Sequence, residues 1–148
     1  MMKKFVLDTG ILLHYIRESP LSHEIEKTHQ LMSQDSIPII PVVVLGEMEG
    51  FMQRHSWGEK KITNLKKLLK KMPVIDIHGK DETLLKTYAT LRNYSKNALP
   101  GKKLGKSIGI GQNDIWIASI AKVSGAELIT TDSDFDHLNG EWLTVHKF

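Results

Sequence analysis

The sequence predicts an α/β fold, a mostly parallel sheet of five strands flanked by helices. Two observations carry this. Five short apolar runs rich in β-prone residues recur along the chain, and segments of helical length and periodicity lie between them. Strands that alternate with helices need crossover connections, and crossovers make neighbouring strands parallel. A length of 148 residues falls in the range of one domain, so residues 1–148 are read as a single unit.

The elements follow in order. Phe5-Val6-Leu7 is a first strand, and Thr9–Arg17 and Ser22–Ser33 have helical patterning, with Pro20 marking the boundary between them. Ile37–Val44 is the second strand, followed by helices over Leu45–His55 and Glu59–Lys71. In the latter, Ile62, Leu65, Leu69 and Met72 recur at helical spacing while Lys60, Lys61, Lys66, Lys67, Lys70 and Lys71 fall largely on the other faces, as in a solvated amphipathic helix. Val74–Ile77, Glu127–Thr130 and Leu143–His146 are the remaining strands, and Asp81–Tyr94 and Asn113–Ser124 the remaining helices. The last helix is apolar nearly all round, as expected of one enclosed by protein, and its entrance holds Asn113 and Asp114, whose side chains suit an N-cap. Ser95 to Gln112 reads as a long loop.

Composition bounds the chemistry. With no cysteine, disulfides, thiolate zinc sites and cysteine nucleophiles are excluded, and a reducing, cytosolic setting is expected. The apolar run at the start is too short for a signal peptide or a membrane span. A net charge of +3 and a pI near 9.0 are compatible with a polyanionic partner. Trp57, Trp116 and Trp142 are not spaced as a base-stacking stripe, and Trp116 reads as core.

Asp8 follows the first strand directly, and Asp132 stands just after the fourth. In open parallel sheets the ligand crevice forms outside the carboxyl ends of the strands, where strand order reverses. Glu47 and Asp114 begin helices that can border that crevice. Clustered carboxylates repel one another, and a bound cation removes the objection. Oxygen donors without Cys or a His pair suit Mg²⁺ or Mn²⁺ better than zinc. Such an ion can polarise a phosphoryl oxygen and activate an attacking water. Neutralising Asp8 or Asp132 is accordingly expected to raise the melting temperature of the metal-free protein.

The ordered segments Val6-Leu7-Asp8-Thr9, Val43-Val44-Leu45-Gly46-Glu47-Met48-Glu49-Gly50, Gly111-Gln112-Asn113-Asp114-Ile115-Trp116-Ile117-Ala118 and Thr130-Thr131-Asp132-Ser133-Asp134-Phe135 resemble PIN-domain ribonucleases, most closely the VapC-type toxins of toxin–antitoxin pairs. The resemblance spans nearly the whole chain. It implies a PIN-like three-layer sandwich and an endoribonuclease in which Asp8, Glu47, Asp114 and Asp132 are catalytic and hold Mg²⁺ or Mn²⁺, with Asp134 as a fifth metal-binding acid. Thr9, Arg92, Asn113 and Thr130 would serve substrate binding, Arg92 through a phosphate unless it is simply a solvated helix residue. A homodimer and a VapB-like antitoxin partner are implied as well. A PIN nuclease of RNA processing, or a non-catalytic RNA- or protein-binding relative, is the alternative.

Three motifs compete with this reading. Glu49 stands two residues from Glu47, and on a helix the two do not share a face, so Glu47 is chosen by motif. Gly101-Lys102-Lys103-Leu104-Gly105-Lys106-Ser107 has three residues between its glycines where a phosphate-binding P-loop has four. Asp8-Thr9-Gly10 spells the aspartic protease triplet, but those enzymes are all-β.

Overall fold

The computed structural model describes residues 2–148. Strands β1 (Lys3–Leu7), β2 (Ser36–Pro41), β3 (Val74–Ile75), β4 (Glu127–Thr130) and β5 (Val145–Lys147) form one sheet in the order β3-β2-β1-β4-β5. Every neighbouring pair is parallel, so the sheet is wholly rather than mostly parallel. Helices α1 (Thr9–Ile16), α2 (Pro20–His29), α3 (Val42–His55), α4 (Glu59–Leu69), α5 (Glu82–Ser95) and α6 (Gln112–Ser124) flank it, giving the PIN-like sandwich. A 3-10 helix, Ser133–Leu138, joins β4 to β5. None of the described helices is long and apolar enough to cross a membrane.

The core runs through the central strands. Phe5, Val6, Leu7, Leu128 and Ile129 are buried, as fits strands covered on both faces. Helix α6 contributes Ile115, Ile117, Ala118, Ile120 and Ala121, and stops at Gly125, whose φ of 66° is the left-handed conformation that glycine adopts without strain. The lysines of α4 are exposed around buried Leu65, the solvated face its periodicity predicts.

Four local departures have physical causes. Val42 to Val44, β-branched and expected in the second strand, open α3 instead: the strand ends at Pro41 and the chain turns straight into helix, burying Val44. Helix α2 starts earlier than expected, because Ser19 accepts a hydrogen bond from the Ser22 amide and Pro20 fits the first helical turn. Helix α6 takes Gly111 as its N-cap with no side-chain cap, so Asn113 and Asp114 lie inside the first turn rather than capping it. Trp116 is half-buried rather than core, its ring stacked on Tyr88 with centroids 3.9 Å apart.

Candidate metal centre and groove

Strand order reverses at β1: β2 and β3 lie to one side, β4 and β5 to the other. The crevice outside the carboxyl ends of β1 and β4 is therefore the switch point where a parallel sheet places ligands. Leu7 pairs with Ile129, and continuing that register by one residue sets Asp8 against Thr130. The buried Thr130 hydroxyl donates to Asp8 Oδ2 and accepts from the Asp132 amide at 2.9 Å. Asp8 Oδ1 accepts from the Ile11 amide at 2.9 Å and so caps α1. Asp132 in turn caps the 3-10 helix, its Oδ1 accepting from the Asp134 amide at 2.9 Å.

The acids form a graded set. Asp114, Asp132 and Asp134 each offer a carboxylate oxygen within 4.8 Å of the others. Asp8 and Glu47 border this trio without joining it at that distance. Their charges still reach it: Asp114 is pushed up to about 7, first by burial and then by Asp132, Glu47, Asp8 and Asp134. Burial likewise raises Asp8, opposed by the hydrogen bonds from Thr130 and the Ile11 amide and reinforced by the charges of Asp132 and Glu47. No lysine or arginine pairs with any of the five among the described residues. Concentrated negative charge with only oxygen donors and no internal counter-ion is the chemistry that fits a hard divalent cation.

The supporting residues are placed as follows. The Thr9 hydroxyl donates to Glu47 Oε1 at 2.7 Å, which orients that carboxylate, whereas Glu49 is exposed. Asn113 is exposed and borders clefts on both sides of Glu47. Arg92 stands apart from the acids: its Nη1 donates to the Tyr88 hydroxyl at 3.2 Å, and its side chain lines a cavity of about 380 Å³ that reaches Gly111 and Gln112. His137 Nε2 is hydrogen-bonded to Ser95 Oγ at 2.7 Å and its ring is parallel to that of Tyr94, while the charges of Asp134 and Asp136 reach it.

These hollows adjoin through shared lining residues. A cleft of about 580 Å³ holds Thr9, Glu47, Phe51, Arg54 and Asn113, and one of about 460 Å³ joins Glu47 to Gly111–Asp114. The Arg92 cavity continues from Gly111 and Gln112. The result is a groove that passes Glu47 and Asp114. Phe51 and Arg54 do not stand out in the sequence, although they lie four and seven residues after Glu47, the spacing of one helical face.

A family model described as PIN domain matches residues 5–141. Among solved structures, the chain is similar to a chain of VapBC2 from Rickettsia felis bound to a DNA fragment from their promoter (22% identity, TM-score 0.74, covering 98% of each chain). It is also similar to a chain of VapBC-1 from nontypeable Haemophilus influenzae (20% identity, TM-score 0.70, 97% of each chain). A third similar chain belongs to VapBC-5 from Mycobacterium tuberculosis, a member of the VapBC family of toxin–antitoxin systems (19% identity, TM-score 0.65, 98% of each chain). No curated protein matches the sequence. With nearly its whole length matched, from the residues of β1 to beyond the 3-10 helix, the chain belongs to the PIN domain family.

Proposed function

We propose that this protein is a divalent-metal-dependent endoribonuclease, the VapC-like toxin of a toxin–antitoxin pair. The observation that carries the reading is the cluster of Asp114, Asp132 and Asp134 at the β1–β4 switch point, with Asp8 and Glu47 bordering it and, among the described residues, no lysine or arginine paired with it. Asp8, Glu47, Asp114 and Asp132, joined by Asp134, would hold Mg²⁺ or Mn²⁺. When bound, the cation supplies polarisation of a phosphoryl oxygen and activation of the attacking water.

The chain's own residues prepare that chemistry. Thr130 holds Asp8 and the Asp132 backbone in one arrangement across the strand pair, and Thr9 fixes Glu47. Locking these carboxylates before the substrate arrives lowers the reorganisation left for the reaction itself. The Asn113 amide borders the groove with donors for a phosphate or ribose oxygen, and Arg92 offers its guanidinium fork to a phosphate farther along. The similarity to chains found in VapBC complexes supports a VapB-like antitoxin as partner, and we extend the reading to a cytoplasmic homodimer.

The test is cleavage of RNA by protein purified free of antitoxin, with Mg²⁺, Mn²⁺ or EDTA, beside Asp8→Asn. Cleavage that requires metal and falls at least ~100-fold in the variant supports the mechanism. Cleavage in EDTA, or equal cleavage by the variant, rules it out.

A further inference from the structure

The chain has only three arginines against seventeen lysines: Arg54 and Arg92 line the groove that passes Glu47 and Asp114, and Arg17 stands over Phe51 at its wall. Arg54 and Arg17 place their guanidinium carbons 5.7 and 5.6 Å from the centre of the Phe51 ring, and Phe51 and Arg54 line the cleft shared with Glu47 and Thr9. None of the three arginines is ion-paired among the described residues. A planar, permanently charged fork without a carboxylate partner is the side chain best suited to a phosphate.

Phe51 lies one helical turn beyond Glu47 on α3, and its ring is half-exposed. Outward from it, the Trp57 ring meets Phe51 edge-on at 5.8 Å, and Lys61 stands 5.4 Å over Trp57. From there the chain enters α4 with its exposed lysines. Aromatic faces alternating with cations, leading away from a cluster of acids, are what a single nucleic-acid strand requires: rings for the bases and cations for the phosphates. Gly46 and Gly50 carry no side chain, which leaves the α3 wall of the cleft open to a flat group.

We propose that Phe51, Arg17 and Arg54 form a nucleotide subsite that stacks a base and pairs a phosphate of single-stranded RNA beside the bond held at the acids. The subsite rests on the nuclease reading for its substrate. It makes Phe51 and the two arginines positioning residues, which hold the strand and take no part in bond cleavage. It also gives the groove a direction: the strand runs from the acids past Phe51 towards Trp57 and α4.

The experiment is fluorescence anisotropy of a labelled single-stranded RNA oligonucleotide, with Ca²⁺ present, across a salt series. Phe51→Leu and Arg54→Gln should each weaken binding about 5-fold or more, the lower end of what a stacked base contributes. Arg54→Gln, and Arg17→Gln at an exposed position, should each reduce the slope of log K against log salt by ~0.7, the loss of one single-strand phosphate contact. Gln53→Ala, exposed on the same helix, serves as the control. On an abasic ribose-phosphate oligomer, Phe51→Leu should have no effect while the arginine variants keep theirs.

Wild-type affinity in both arginine variants overturns the proposal, as does an equal effect of Phe51→Leu on the abasic oligomer. Variants that bind RNA normally but lose a copurifying protein partner would assign the cleft to that partner and also overturn it. A wild type that binds RNA through these residues yet cleaves none would refute the nuclease reading and leave the subsite standing.

Discussion

Replacing Asp114 with asparagine should stabilise the protein when metal is absent, and pH decides by how much. In the folded chain, burial and four neighbouring carboxylates push the Asp114 carboxyl from the ordinary 3.8 up to about 7. Between those values the folded state holds a proton that the unfolded state has released, so this group's contribution to stability falls as pH rises from about 4 to about 7. Full conversion of that difference gives a ceiling of ~4 kcal/mol above pH 7. Asp114 is only half-buried, and solvent screening reduces the figure to about 1–2 kcal/mol. Asparagine keeps the shape without the charge. In EDTA, Asp114→Asn should melt roughly 2–8 °C above wild type at pH 8, at about 2–4 °C per kcal/mol for a chain of this size, and the gap should close towards pH 5. His29 and His137, both lowered chiefly by burial, pull stability the other way as pH falls, but they are common to both proteins and cancel in the difference. Circular dichroism melts at pH 5, 6, 7 and 8 measure it. A variant no more stable than wild type at pH 8, or a gap as wide at pH 5 as at pH 8, would refute the account of a carboxyl destabilised by burial and by its neighbours' charge. Asp8 and Asp132 are less clean probes, because each also caps a helix.

Added Mg²⁺ should reverse the order: at 100 times its dissociation constant it stabilises wild type by ~2.7 kcal/mol, and Asp114→Asn should gain less, as read by the same melts. Thr130→Val leaves Asp8 and the Asp132 amide without their shared hydroxyl in a buried position, and should cost about 1–3 kcal/mol in urea denaturation as well as lowering RNA cleavage. Thr9→Val frees the Glu47 carboxylate while leaving the sheet intact, so cleavage should fall with little change in melting temperature.

Much of the architecture was legible because burial on both faces leaves strands such as Phe5-Val6-Leu7 continuously apolar, and α6 shows the same all-round hydrophobicity. The boundary at Pro41 was not legible: three consecutive valines favour a strand locally, and only the tertiary turn at the carboxyl end of β2 makes them helical. The acids could be found from their positions at strand and helix ends. Their grouping could not, since whether Asp134 or Asp8 lies in the closest trio depends on the turn after β4 that folds Asp134 back onto Asp132. Phe51 and Arg54 share a helical face with Glu47, a pattern present in the sequence but indistinguishable there from an ordinary surface stripe. Arg17 joins them only through tertiary packing.

The bond between Thr130 and Asp8 joins residues 122 positions apart in the chain. During synthesis Asp8 and Glu47 leave the ribosome long before β4 exists, and until Leu128 and Ile129 pair with Val6 and Leu7 there is no crevice for them to line. A chain interrupted before residue 127 carries three of the acids and no switch point. Whatever chemistry the finished site performs is therefore withheld from nascent and truncated products by strand order itself.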